Sequence, residues 1–176
     1  TFYESDVNIK NTNFKGTVAE DAINIVRSNF LMDNVKFINS RSDAFDSDFS
    51  KGIVRNSEFK KIGGDGIDFS GSNIVGNKIS FENVHDKAIS VGEASNFQGT
   101  NLIVKKSGTG VASKDGSNTE ISNSKFIDVN YATLMTYVKK NEYVGASIIA
   151  NNIEYKKGKN ALVAQKGSSI KIDGKF

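Results

Sequence analysis

The sequence contains no cysteine and no proline, and it has a single histidine, His85. Without cysteine, neither a disulfide framework nor a thiolate metal site is available, and one histidine excludes a zinc site built from several imidazoles. The net charge of +3, from 23 basic and 20 acidic residues, is too balanced to indicate binding to nucleic acid. No run approaches the roughly 18 apolar residues of a membrane-spanning helix. We therefore expect no nucleic-acid partner and no membrane span.

Glycine is plentiful, with 16 residues, and many segments alternate apolar with polar side chains. The alternation is clear at Val7-Asn8-Ile9 and again at Ser169–Ile172. A period of two with frequent turn residues favours short strands joined by tight turns over helices. With 176 residues and a hydrophobic content of 38%, the chain is long enough for one domain with a continuous core.

A repeat of 22 residues runs through most of the chain. One column of positions is always small, the next is apolar over five successive repeats, and a third is aromatic. These columns are Ala22, Ala44, Gly66, Ala88, Gly110 and Ala132; Ile23, Phe45, Ile67, Ile89 and Val111, with Thr133 next; and Phe37, Phe59 and Phe81. A fixed period of this length indicates a solenoid, in which each unit buries its apolar face against its neighbours. Because each repeat holds strand-like pieces and no helical pattern, we predict an all-β, right-handed parallel β-helix of about seven coils.

The whole of 1–176 is interpreted as a single β-helix domain with one interruption. The repeat loses its phase after Ala132, and the next small residue in phase is Ala161, 29 residues later. The extra residues predict a protruding loop within 137–158. Because neither end of the repeat carries a polar cap, we expect the chain to be part of a longer polypeptide whose neighbouring domains cover the ends of the rod.

Alternation along each strand predicts which side chains reach the surface. We call the strands that carry the column Ile23, Phe45 and Ile67 the first sheet. Since this apolar column must face the core, the residues on either side of it should face solvent. The Ala/Gly column would then form a shallow groove on the outside, in which a chain-like ligand could lie. The alternative is that these small residues only ease stacking beside a turn.

Carboxylates concentrate on this outer face in the second and third coils. Asp46 and Asp68 should stack about 4.8 Å apart, with Asp48 two residues further along the strand. Like charges this close need a cation, a shared proton or heavy hydration, and clustered oxygen ligands suit calcium. We therefore predict Asp46, Asp48, Asp65 and Asp68 as metal ligands, with a solvated acidic patch without metal as the alternative. Asp43 and Asp65 could also accept hydrogen bonds from turn amides.

Four other side chains near the patch are candidates for chemistry. Lys87 continues the column of Asp65 and is the candidate catalytic base, while Lys114, Ser90 and His85 are candidate substrate-binding residues. A lysine among carboxylates keeps its proton unless burial or a nearby metal removes it. A solvated lysine that caps the acidic stack is therefore the alternative to catalysis.

The segments 43–46, 65–68 and 87–91 resemble the first-sheet strands of right-handed parallel β-helix proteins of the pectate-lyase-like superfamily. The resemblance covers nearly the whole chain and is specific for the fold. That superfamily includes lyases with calcium on the outer face of this sheet, epimerases, depolymerases and surface modules without known catalysis. By motif position, Asp46, Asp65 and Asp68 resemble the calcium ligands of the lyases, Asp48 fits beside them, and Lys87 resembles the base.

Together these patterns predict binding or processing of an extracellular, acidic polysaccharide along the outer face of the first sheet. Calcium is the expected cofactor if there is one. If the protein is an enzyme, the resemblance implies a polysaccharide lyase or another carbohydrate-active enzyme. The alternative is a non-catalytic structural or adhesive module of a surface protein. In both cases we expect an extracellular or cell-surface location.

Overall fold

The computed structural model describes residues 1–156 and 160–175, and within them the chain forms strands and no helix. The strands are β1 Phe2–Tyr3, β2 Val7–Lys15, β3 Asp21–Val26, β4 Asn29–Ser40, β5 Asp43–Asp48, β6 Lys51–Ile62 and β7 Ile67–Ser70. They continue with β8 Asn73–Gly92, β9 Asn96–Lys114, β10 Asn118–Ile127, β11 Ala132–Tyr137, β12 Ser147–Glu154, β13 Leu162–Ala164 and β14 Ser169–Ile172.

Each strand pairs in parallel with the strand one coil further along the chain, which makes a parallel β-helix with three sheets. One coil consists of β5 in the first sheet and β6, which bends at Asn56 to supply both the second and the third sheet. The first sheet then continues with Phe45 paired to Ile67 and Ile67 paired to Ile89, as the 22-residue repeat predicted. The rod has about eight coils, close to the seven expected.

The corner between the second and third sheets is a single residue in the left-handed region. Its φ lies between 49° and 57° in successive coils, at Asn11, Asn34, Asn56, Lys78, Asn101, Asn123 and Asn152. Asparagine tolerates this conformation better than other residues with a side chain, which explains its use here. Neighbouring amides also bond to each other, for example Asn34 Nδ2 to Asn11 Oδ1 at 2.7 Å.

The corner between the first and second sheets is held by a column of buried serines, which we call the serine ladder: Ser28, Ser50, Ser72, Ser95 and Ser117. The amide of Ser50 donates to Ser72 Oγ at 3.0 Å, and the amide of Ser72 donates to Ser95 Oγ at 2.9 Å. The hydroxyls of Ser28, Ser50, Ser72 and Ser95 in turn donate to nearby carbonyls, as Ser50 Oγ does to Asp48 O at 2.9 Å. Buried amides at this corner are thereby satisfied.

Phenylalanine fills the core along the rod axis. Phe14, Phe37, Phe59 and Phe81 stack with centroids 4.8–4.9 Å apart and nearly parallel rings. The spacing matches the separation of paired strands, so each ring rests on the equivalent ring of the next coil. The prediction that Phe37, Phe59 and Phe81 form a core stack is therefore confirmed.

The Ala/Gly column lies inside the rod, so the prediction of an external groove along it is wrong. Ala44 and Ala88 are fully buried. A Cβ at Gly66 would lie 2.8 Å from the Phe81 ring and 2.5 Å from the carbonyl oxygen of Ala88. The chain turns a corner here between the third and first sheets, so strict alternation does not apply. Only a small residue fits between the phenylalanine stack and the next coil.

The repeat also slips by one residue in the later coils. Val111 pairs with Leu134, which is buried, so Leu134 occupies the apolar column where the repeat placed Thr133. The irregular segment 138–146, here called the insertion loop, follows β11 and precedes β12. It occupies part of the loop predicted within 137–158, of which residues 157 and 158 lie outside the described part of the chain.

Candidate functional site

The outer face of the first sheet carries the acidic residues in the arrangement that the repeat predicted. Asp46 on β5 pairs in register with Asp68 on β7, and Asp68 pairs with Ser90 on β8. Asp48 pairs with Ser70 along the parallel column. The strand neighbours of Asp46 and Asp68, namely Phe45, Ser47, Ile67 and Phe69, are fully buried, which fixes the direction of these two carboxylates away from the core.

Three carboxylates come closest together: Asp43, Asp65 and Asp68 each offer an oxygen within 4.8 Å of the others. We call them the acidic trio. Asp43 Oδ1 accepts the amide of Asp65 at 2.7 Å, and Asp65 Oδ1 accepts the amide of Lys87 at 2.9 Å. The interpretation of Asp43 and Asp65 as acceptors of turn amides is therefore confirmed. The same bonds point both carboxylates toward Asp68.

Two lysines reach into the trio. Lys87 Nζ lies 3.3 and 3.4 Å from the two oxygens of Asp65 and 2.5 Å from Asp86 Oδ2. Lys114 Nζ lies 3.5 Å from Asp68 Oδ1, and the Lys114 side chain is only 7% exposed. Each lysine thus neutralises a carboxylate of the trio from a later coil.

Burial raises the pKa of several carboxyl groups on this face. For Asp46 it acts together with the charges of Asp48, Asp21 and Asp68 and raises the pKa to about 8. For Asp65, burial raises the pKa to about 7, with Lys87 opposing the shift. Asp46 therefore holds a proton for much of the time near neutral pH, so its carboxyl can donate a hydrogen bond as well as accept one, whereas Asp65 accepts from the amide and the ammonium group of Lys87.

Lys87 keeps its proton firmly. Burial alone lowers the pKa of the ammonium group, but the charge of Asp65 and the hydrogen bond to Asp86 outweigh burial and raise the pKa above its usual value. As a general base, Lys87 would first have to lose a proton that two carboxylates hold in place. The catalytic role of Lys87 therefore stays a prediction. It would require a cation that binds Asp65 in place of the Lys87 ammonium group.

The other predicted site residues lie in different surroundings. Ser90 is fully buried, and its Oγ has no hydrogen-bond partner among the described residues. His85 is exposed at the end of the third-sheet part of β8. Asp46 and Asp48 share the outer face but are not part of the trio. The sequence analysis assigned Asp43 only to a turn. Its position one repeat before Asp65 could have indicated that its carboxylate lies beside that of Asp65.

The insertion loop lies at the edge of the same face. Asp115 is fully buried, and its Oδ1 accepts the amides of Lys139 at 2.6 Å and Lys140 at 2.8 Å. The ammonium group of Lys140 bonds to Glu93, two coils back along the rod. Burial raises the pKa of Asp48, and Glu93 adds to that shift, which places the loop anchor within electrostatic range of the acidic face.

Comparison with known families agrees with this architecture. A model described as the right handed beta helix region matches residues 21–175, which is most of the chain. The chain therefore belongs to the right-handed β-helix family, and the predicted hand and fold are confirmed. A search of curated proteins found no match. Among the described residues there is no helix of the length and apolarity needed to cross a membrane.

Proposed function

We propose that the outer face of the first sheet binds an acidic polysaccharide outside the cell, with calcium between the sugar carboxylates and the acidic trio. The observation that carries this proposal is the trio itself, with oxygens of Asp43, Asp65 and Asp68 within 4.8 Å of one another. Calcium takes six to eight oxygen ligands and tolerates irregular geometry, so roughly half of its shell would remain for the ligand and water.

The charges on this face support a role for a divalent cation. Five carboxylates stand near one another, at Asp43, Asp46, Asp48, Asp65 and Asp68, while Lys87 and Lys114 supply two positive charges. An anionic sugar would be repelled by the carboxylate excess when these groups are ionised. A bound calcium ion reverses the local sign and also favours the ionised form of Asp65.

Ser90 adds a second observation. Its hydroxyl follows Asp68 in the outward column, is fully buried and has no partner among the described residues. A buried hydroxyl without a hydrogen bond is costly, which favours a ligand, ion or water at this position. The Ser90 oxygen would extend the oxygen-lined surface of the trio by one coil along the rod axis.

A structural or adhesive module is the second candidate. The ion pairs of Lys87 with Asp65 and of Lys114 with Asp68 favour it, because they neutralise two members of the trio without any ligand. In that case the lysines stabilise the stacked coils, and binding to a partner takes place elsewhere on the rod.

Calorimetry distinguishes calcium-dependent polysaccharide binding from a structural or adhesive role. Calcium is titrated into chelator-treated wild-type protein, Asp68→Asn and the control Asp128→Asn, which changes an exposed carboxylate at a distant corner. A polyuronate is then added with and without calcium. We expect wild type and the control to bind calcium and, only with calcium, the polymer, while Asp68→Asn loses both. Ultraviolet absorbance of an unsaturated product would show lyase activity. Absence of polymer binding under all conditions would leave the structural module.

A further inference from the structure

Phe49 has an unfavourable backbone conformation for its size. It is the first residue after β5, and its φ of 50° lies in the left-handed region, where bulky side chains are rare. The equivalent corner positions of other coils hold polar residues or glycine, namely Glu4, Arg27, Gly71, Glu93 and Asp115, also with positive φ. Phe49 is therefore an aromatic exception in a column that otherwise suits the turn.

The Phe49 ring lies on the surface beside the acidic face. The side chain is 60% exposed, although single exposed apolar residues are common and carry no argument alone. One edge of the ring rests on Gly71 of the next coil, where an added Cβ would lie 2.6 Å from Phe49 Cδ1. Asp48 immediately precedes Phe49, and Ser70 O accepts the Phe49 amide at 2.7 Å. The ring therefore lies over Gly71, and Asp48 and Ser70 are the residues that precede Phe49 and Gly71 in their two coils.

We propose that Phe49 is a stacking platform for a sugar ring of the polysaccharide bound on the outer face of the first sheet. A pyranose ring presents a face of C–H groups that packs on an aromatic surface, while its hydroxyls and carboxylate reach polar groups at the side. Phe49 supplies the aromatic surface, and Asp48 and Ser70 supply the polar groups. This inference rests on the proposed function, and it adds a residue that fixes the orientation of the sugar.

A purely structural role explains Phe49 poorly. Its side chain buries little, and an asparagine would adopt the same φ with less strain, as it does at Asn56. Strained conformations persist where the side chain serves another purpose. Gly71 fits the same interpretation, because a side chain there would displace the ring from its present place.

The test compares Phe49→Asn and Phe49→Trp with Lys78→Asn, a matched control that places asparagine at another exposed corner with a φ of 54°. Calorimetry measures the affinity for calcium alone and for a uronate oligosaccharide in the presence of calcium. We expect Phe49→Asn to bind the oligosaccharide about five- to tenfold more weakly. Its calcium affinity should equal that of wild type, and its melting temperature should be equal or higher. Phe49→Trp and Lys78→Asn should bind the oligosaccharide at least as tightly as wild type.

Wild-type oligosaccharide affinity in Phe49→Asn would overturn the inference while leaving the proposed function intact. If wild type itself binds no oligosaccharide, the proposed function and the inference fail together. Loss of self-association in Phe49→Asn, with unchanged sugar affinity, would assign Phe49 to a contact between copies of the chain and would also overturn the proposal.

Discussion

The ammonium group of Lys114 bonds to the carboxylate of Asp68, two coils back along the rod, with Nζ 3.5 Å from Oδ1. Its side chain crosses Gly92, where an added Cβ would lie 2.5 Å from Lys114 Cε. The glycine thus opens the path that lets a lysine of a later coil neutralise an acid of the trio. Because Lys114 is buried, removing or displacing either partner of this ion pair would leave the other charge uncompensated.

Gly92→Ala is expected to displace the Lys114 side chain and leave Asp68 without its cation. We expect the free energy of unfolding to fall by about 1–3 kcal/mol, measured by urea denaturation, because an unpaired charge is left in a half-buried position. The matched comparison is the same change in a Lys114→Met background. There the cost should shrink, and an equal cost in both backgrounds would show that Gly92 acts independently of Lys114.

Stability is expected to depend on pH in the direction set by the raised carboxyl pKa values. Asp46 and Asp65 have folded-state pKa values of about 8 and 7, above the usual aspartate value of 3.8 that they approach when unfolded. The folded state therefore binds more protons across this interval. The free energy of unfolding, measured with a chelator present, should therefore fall as the pH rises from about 5 to 8. Asp33 and Glu82 have lowered pKa values and no longer contribute to the pH dependence in this range.

Asp46→Asn removes one titrating group and so isolates the contribution of Asp46 to the pH dependence of stability. We expect the variant to be more stable than wild type by about 1–2 kcal/mol at pH 8, less than the full shift would give because the carboxyl is partly exposed. At pH 4 the difference should nearly vanish, since the wild-type carboxyl is then protonated. Thermal denaturation at several pH values measures this, and a difference independent of pH would contradict the assigned pKa.

Ser72→Ala should interrupt the serine ladder. The substitution leaves the buried amide of Ser50 without its acceptor, so we expect a loss of about 1–3 kcal/mol in the free energy of unfolding. Ser80→Ala provides the control, because Ser80 lies on the outward side of the third sheet and is partly exposed. The free energy of unfolding of both variants is measured by chemical denaturation. Equal values for the two variants would contradict the stabilising role assigned to the serine ladder.

Asp115 is expected to hold the insertion loop. Asp115→Ala removes the acceptor for the amides of Lys139 and Lys140, and hydrogen exchange of these two amides should accelerate at least tenfold. Asp115→Asn retains an oxygen acceptor and should preserve most of the protection. If both variants exchange at the wild-type rate, the loop is held by other contacts, such as the bond between Lys140 and Glu93.

The repeat was sufficient to predict the coil, the parallel register and the apolar column through Val111, because stacked units repeat the same contacts. It failed where a coil contains an additional residue. Glu93 and Ala94 both have positive φ, so the corner after β8 holds two left-handed residues where the corner after β5 holds Phe49 alone. The added residue makes the pairing step 23 residues from Asn73 with Asn96 to Val84 with Ser107, and an irregularity after Val84 restores the step of 22 before Ile89 pairs with Val111. A further residue added between Ile127 and Ala132 makes Val111 pair with Leu134, and a fixed step of 22 has no means of detecting either shift.

The sequence was sufficient to predict which acidic residues lie close together, but not the individual contacts that their side chains make. The stacking of Asp46 on Asp68 follows from the period, whereas the approach of Lys114 to Asp68 depends on a long side chain crossing Gly92. Alternation also placed Ala44 outside, because it assumes an extended strand where the chain turns a corner. The serine ladder was present in the spacing of Ser28, Ser50 and Ser72 and could have been found from the sequence.

The serine ladder makes the junctions between successive coils chemically interchangeable. The amide of Ser28 meets the hydroxyl of Ser50, and the amide of Ser50 meets the hydroxyl of Ser72, with both bonds at 3.0 Å. Excising residues 50–71 would therefore bring Ser28 against Ser72 and Phe37 against Phe81 through bonds and ring contacts of the same kind. The rod can lengthen or shorten by whole coils during evolution, so the reach of its outer face is set by a simple count of repeats.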